Sequence, residues 1–132
     1  MRKTLSDICV GANDAAPKVP VRSWRESGPE WGGKICAVHH VGPGFDATPA
    51  FQVLPDGLCP VPHWGYCFSG KLVLRYKDGS EDVIRAGDVF YMRPGHTFFT
   101  DNNEACELIE FSNSADFQAM EKALAASKGS NK

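Results

Sequence analysis

The sequence lacks most of the features that announce a function. Lys and Arg total 14 against 16 Asp and Glu across 132 residues, and the two signs are intermixed without a long run of either. Nothing in that pattern would track a phosphate backbone or lie against an anionic membrane, so neither nucleic acid nor membrane is an expected partner. No transmembrane stretch is present. Arg2 and Lys3 lead into Ser6, Asp7, Asn13 and Asp14 instead of an apolar core, so no secretory leader is expected. The five cysteines, Cys9, Cys36, Cys59, Cys67 and Cys106, are odd in number, widely spaced and free of any CxxC pair. That argues against a disulfide framework or a thiolate zinc knuckle and for a reducing, cytoplasmic setting. The GxSxG, GxxxxGK[ST] and GxGxxG patterns are missing too, which removes the hydrolase elbow and the common nucleotide loops.

What is present divides the chain in three, within a length that suits one domain. Residues 1–31 form an N-terminal arm, polar and broken by Pro17 and Pro20 as far as Pro20. Its last part carries Trp24 and Trp31, two large aromatics that could cover a barrel face or a dimer partner. From 32 to 112 short apolar segments alternate with Gly, Pro, Asp and Asn, the spacing of an all-β sandwich or barrel. Strands are expected at Ile35–Val41, Ala50–Leu54, His63–Phe68, Lys71–Lys77, Glu81–Arg85, Asp88–Met92, Thr97–Thr100 and Cys106–Phe111. The clearest hairpin turns on Asp78-Gly79, a pair that tolerates positive φ. Residues 113–132 are expected to form a short helix, stopped by Ser127, Lys128 and Gly129, and a tail. Ser114 can cap it, Asp116 suits its first turn, and Phe117, Met120 and Leu124 share one face, expected to lie across the outside of the barrel.

Within this frame Pro62–His96, PHWGYCFSGKLVLRYKDGSEDVIRAGDVFYMRPGH, resembles a small single-domain cupin. The matching features are Tyr66-Cys67-Phe68 leading into Ser69-Gly70, a hairpin, then Ala86-Gly87-Asp88, and an apolar strand ending in Pro94-Gly95. Gly70 allows a bend between strands, Asp88 can tie the Gly87 turn, and Pro94-Gly95 reverses the chain. The resemblance implies an all-β double-stranded β-helix, or jelly-roll, barrel, and often a homodimer. It also implies a small-molecule ligand in the lumen, with oxygenase, isomerase or lyase chemistry.

The sequence departs from the family's metal motif. With Gly70 on the family glycine, His63 stands where a glutamate is usual, and Gly57, Leu58 and Cys59 surround the two histidine positions. In the second motif Phe98 takes the expected histidine position, and His96 lies two residues earlier. A shift of two keeps the same face of an extended strand. His63 and His96 are therefore the expected holders of a divalent metal such as zinc, iron, nickel, copper or manganese. Cys59, Trp64, Tyr66, Phe98 and Glu110 are the expected pocket residues. His39 and His40 are strand neighbours and point to opposite faces, so at most one joins the site. Glu110 could instead pair with Arg85 or Arg93. A metal-free sensing module and a structural dimer without ligand stand beside the enzyme reading.

Overall fold

A computed structural model describes residues 2–5 and 21–130. Residues 6–20 of the expected arm, with Cys9, and the last two residues of the tail lie outside it. Among the described residues seven strands are all paired antiparallel: β1 (Val21–Glu26), β2 (Lys34–Val41), β3 (His63–Tyr76), β4 (Glu81–Arg85), β5 (Val89–Met92), β6 (His96–Phe99) and β7 (Cys106–Asn113). The helical elements among the described residues are α1 (Thr48–Phe51), two single 3-10 turns at Pro29–Trp31 and Pro55–Gly57, and the terminal α2 (Ser114–Ser130).

The long β3 builds the barrel. Its first half pairs with β7 on one side and β5 on the other, and its second half pairs with β4 and β6. The change of partners falls at Gly70, whose φ of 79° is a left-handed value. Expected as two strands, this segment is one strand bent at that glycine. Strands β1 and β2 extend the first sheet beyond β7, giving the order β1-β2-β7-β3. The Gly87 turn closes as expected, with the Asp88 carboxylate accepting the Arg85 N–H at 2.8 Å. Between the sheets Leu72, Leu74, Tyr76, Ile84, Phe90, Met92 and Leu108 form the main core.

Three expectations change. Val21–Glu26, assigned to the arm, is a full sheet strand, and Trp24 and Trp31 pack against Cys36, Val38 and Ile109 of their own chain. Ala50–Leu54 is not a strand, because the Asp46 carboxylate accepts the Thr48 N–H at 2.9 Å and Pro49 presets a helical φ, starting α1. A short apolar run alone does not distinguish the two. Finally, α2 runs past Ser127–Gly129 to Ser130, since one glycine costs only ~1 kcal/mol in a helix. Its apolar stripe does not lie on the outer wall. Phe117, Met120 and Leu124 pack with Leu54, Cys59 and Val61 and face a cavity inside the barrel. Among the described residues no helix is long and apolar enough to cross a membrane.

Candidate functional site

Strand alternation decides which residues reach that cavity. Along the first half of β3 the side chains of His63 and Cys67 turn inward, while Trp64, Tyr66 and Phe68 turn out. His63 is 5% exposed, against 43% for Trp64 and 40% for Tyr66. Trp64 stacks on Tyr91 of β5 at 5.3 Å between ring centroids, on the outer face. Trp64 and Tyr66 therefore do not line this cavity, contrary to expectation: with His63 inside, period two sends both outward. Phe98 and His96, two apart on β6, both line it.

Cys59, His63 and His96 converge. The backbones of Cys59 and His96 pair as an isolated bridge, with the Cys59 N–H donating to the His96 carbonyl at 2.7 Å. The Cys59 carbonyl in turn accepts the Gly95 N–H at 2.7 Å, so the Pro94-Gly95 turn sets the histidine beside the thiol. His63 enters from the start of β3. Its Nε2 lies 3.8 Å from Cys59 Sγ, and its ring centroid is 5.3 Å from that of His96. One donor atom from each residue falls within a 4.8 Å cluster.

The remaining ring nitrogens are held in place. His96 Nδ1 donates to the Arg93 carbonyl at 2.6 Å, which leaves Nε2 with the lone pair. His63 Nδ1 sits 2.6 Å from the Ser112 hydroxyl and 3.6 Å from Glu110 Oε1. A carboxylate that close favours the proton on Nδ1, leaving Nε2 as the lone-pair nitrogen facing Cys59. Glu110 itself accepts from His39 Nε2 at 2.8 Å, and His39 Nδ1 meets the Ser23 hydroxyl at 2.5 Å. Glu110 thus pairs with histidines, not with Arg85 or Arg93. His40 points the other way, toward Glu107.

Burial sets the protonation states. Loss of water pulls His63 down to about 4, with Glu110 opposing and His96, His39 and Arg25 assisting. His96 is lowered for the same reason, against the pull of the Arg93 carbonyl. The Cys59 thiol is pushed up to about 11 by burial, despite its contact with the Val61 carbonyl. For Glu110 burial pushes upward, but the His39 hydrogen bond and the three nearby imidazoles hold its carboxyl below the ordinary range. Without an ion the cluster is neutral imidazoles and a thiol beside a carboxylate.

The cavity measures about 400 Å³. Its wall is mostly apolar, with Phe51, Leu72, Phe98 and Leu108 among the lining residues, and the cluster, Glu110, His39 and Arg25 supply the polar part. Sequence reasoning missed Arg25, Ser112 and the role of α2. The alternation of β1 would have exposed Arg25 had that strand been recognised.

No protein-family model and no curated protein matches the chain. Solved structures do. A cupin-like protein from Thermotoga maritima aligns at TM-score 0.52 and 15% identity, covering 71% of this chain and 68% of its own. The EutQ protein of Clostridium difficile aligns at TM-score 0.54 and 16% identity, over 73% and 69%. The chain is a cupin-fold protein. The polyketide cyclase RemF from Streptomyces resistomycificus aligns at TM-score 0.53 and 14% identity, over 72% of this chain and 66%, just under two thirds, of the cyclase. At such identities the likeness establishes the cupin fold and nothing finer.

Within this cupin fold the donor set suits a metal. Donors at ~2.0 and ~2.3 Å from one tetrahedral ion stand roughly 3.5 Å apart, and the 3.8 Å between His63 Nε2 and Cys59 Sγ is close to that. Both imidazoles also have the second nitrogen anchored, as metal-binding histidines do. One sulfur and two imidazoles favour zinc, iron or copper over manganese, which prefers oxygen.

Proposed function

We propose that this chain is a small-molecule-binding cupin that holds one divalent metal ion on Cys59, His63 and His96 and acts as an enzyme on a ligand in its lumen. The observation that carries the reading is the convergence of these three buried donors at the wall of an apolar cavity. An ion there would polarise a ligand oxygen or sharpen a bound water as nucleophile. The chain's own residues do the rest. Glu110 fixes the His63 ring and can share a proton with His39, while Phe117, Met120 and Leu124 help keep water from the site. The reading includes a reducing, cytoplasmic setting, since Cys59 must be free of any disulfide to lose its proton to an ion and bind it as thiolate.

Metal analysis of protein purified without chelator or affinity tag tests it. About one ion per chain is expected, falling at least tenfold in His63→Ala and His96→Ala with the far-ultraviolet circular dichroism unchanged. Metal-free wild-type protein of intact fold would overturn the enzyme reading and favour a metal-free binding module.

We further propose that two copies pair through the outer face of the first sheet. There Trp64 stands opposite Tyr91 and Phe111, and Tyr66 opposite Val89 and Ile109, with Phe68 nearby on the same strand. Five of these aromatics are exposed, and at four-tenths of a ~200 Å² ring each they offer on the order of 400 Å² before Val89 and a polar rim are added. A standard interface needs about 800 Å² per partner, so the patch supplies its apolar centre. Trp24 and Trp31 are docked on their own chain, so this pairing does not call on them. Sedimentation is expected to show a dimer that dissociates in Tyr66→Arg or Tyr91→Arg; a monomeric wild type, or a dimer untouched by both, excludes this face.

A further inference from the structure

The charges around the cavity are unevenly matched. Glu110 accepts a hydrogen bond from His39 and lies 3.6 Å from His63, but Arg25 has no carboxylate within ion-pair distance among the described residues. Alternation along β1 places Val21, Ser23 and Arg25 on the cavity wall and Trp24 on the opposite face, in the outer cluster with Cys36 and Val38. The guanidinium carbon of Arg25 lies 5.4 Å from the Phe117 ring centroid, and that ring in turn lies 5.9 Å from the His63 imidazole. Arg25 is exposed on its outer side, and the Phe117 ring within cation–π reach favours keeping its planar fork at the cavity mouth. An arginine held this way presents paired N–H donors, the geometry that binds a carboxylate bidentately.

Resting on the lumen as the ligand site, we propose that the ligand is a small monocarboxylic acid with an apolar body, its carboxylate held by Arg25. The body fits against Phe98, Leu72, Leu108 and Met120. At ~30 Å³ for each water-sized volume, a 400 Å³ cavity takes a molecule of roughly a dozen non-hydrogen atoms. One guanidinium, with no second lysine or arginine on the wall among the described residues, matches a single negative charge. A phosphate dianion would meet too little positive charge, and the nearby Glu110 carboxylate would repel it.

Calorimetric titration of chelator-treated protein with 4-phenylbutyrate, 4-phenylbutyramide and phenyl phosphate tests this. Removing metal first matters, because an ion could itself attract a carboxylate. The acid is expected to bind at least tenfold more tightly than the amide, and Arg25→Gln to bring the acid down to the amide's level while leaving amide binding and the melting temperature unchanged. Arg25→Lys should keep part of the preference. Equal binding of acid and amide, an equal loss of both in Arg25→Gln, tighter binding of the phosphate, or binding of none of the three overturns the proposal. Failure of the metal reading would register separately, as absent metal in the untreated protein with the preference for the acid intact.

Discussion

Gly70→Ala is expected to lose at least ~4 kcal/mol of stability, whereas Gly79→Ala, also at a positive φ, should lose only ~1 kcal/mol. Both glycines are left-handed, at 79° and 85°. They differ in surroundings. A β-carbon on Gly79 meets nothing within 4 Å, while one on Gly70 would sit 1.7 Å from the Ala105 carbonyl oxygen and 3.0 Å from Cys106 Cα. Those are backbone atoms, so no rotamer relieves the clash and the start of β7 must move. Cys106 and Leu108, both buried in the main core, would move with it. Gly65→Ala should behave similarly, because its β-carbon would approach the Ile109 carbonyl at 2.0 Å, next to Glu110. Urea unfolding midpoints measure the difference. Equal losses at Gly70 and Gly79 would mean that backbone conformation, not close strand approach, makes Gly70 necessary.

The same glycine shows why the barrel was legible in the sequence. Gly70, Asp78-Gly79, Gly87-Asp88 and Pro94-Gly95 act locally, each through a backbone angle or a side chain bonding to its own turn, and local chemistry is what a sequence displays. His96 and Phe98 sharing one face followed from parity alone. The site was less legible because its partners are set by register between strands far apart in the chain. Glu110 meets His39 because Ala37 pairs with Glu110 and His39 with Leu108 in β2–β7, bringing the two side chains diagonally together. Cys59 meets His96 through a bridge outside any regular strand. The expectation that Trp64 and Tyr66 line the pocket takes them as lumen-facing aromatics. Strict alternation from His63 contradicts that, and it was available from the sequence. The helix was recognised, but where its stripe packs depends on how the chain leaves β7, which no local signal encodes.

Below neutral pH the metal-free protein is expected to lose stability progressively, by up to about 3 kcal/mol between pH 6.5 and 4 from His63 alone. The folded state holds this imidazole at about 4 against an ordinary 6.5, chiefly because burial penalises the charged form. In that window the unfolded chain binds a proton that the folded chain refuses, so stability rises with pH and falls on acidification. At ~1.4 kcal/mol per unit the displacement gives the stated bound. His96, lowered by burial as well, adds in the same direction. Glu110 acts lower down: held below the ordinary carboxylate range by His39 and the neighbouring imidazoles, it contributes stability above about pH 4.5 that is lost as pH falls further. Replacing His63 by Gln removes the titrating group while keeping a side chain able to bond Ser112. The urea midpoint of His63→Gln should therefore be visibly flatter than wild type from pH 7 to 4.5. A wild-type midpoint constant over that range, or a variant with the same slope, would show that His63 is not held neutral by the barrel wall, and the lone-pair nitrogen assigned to the metal cluster would lose its physical basis.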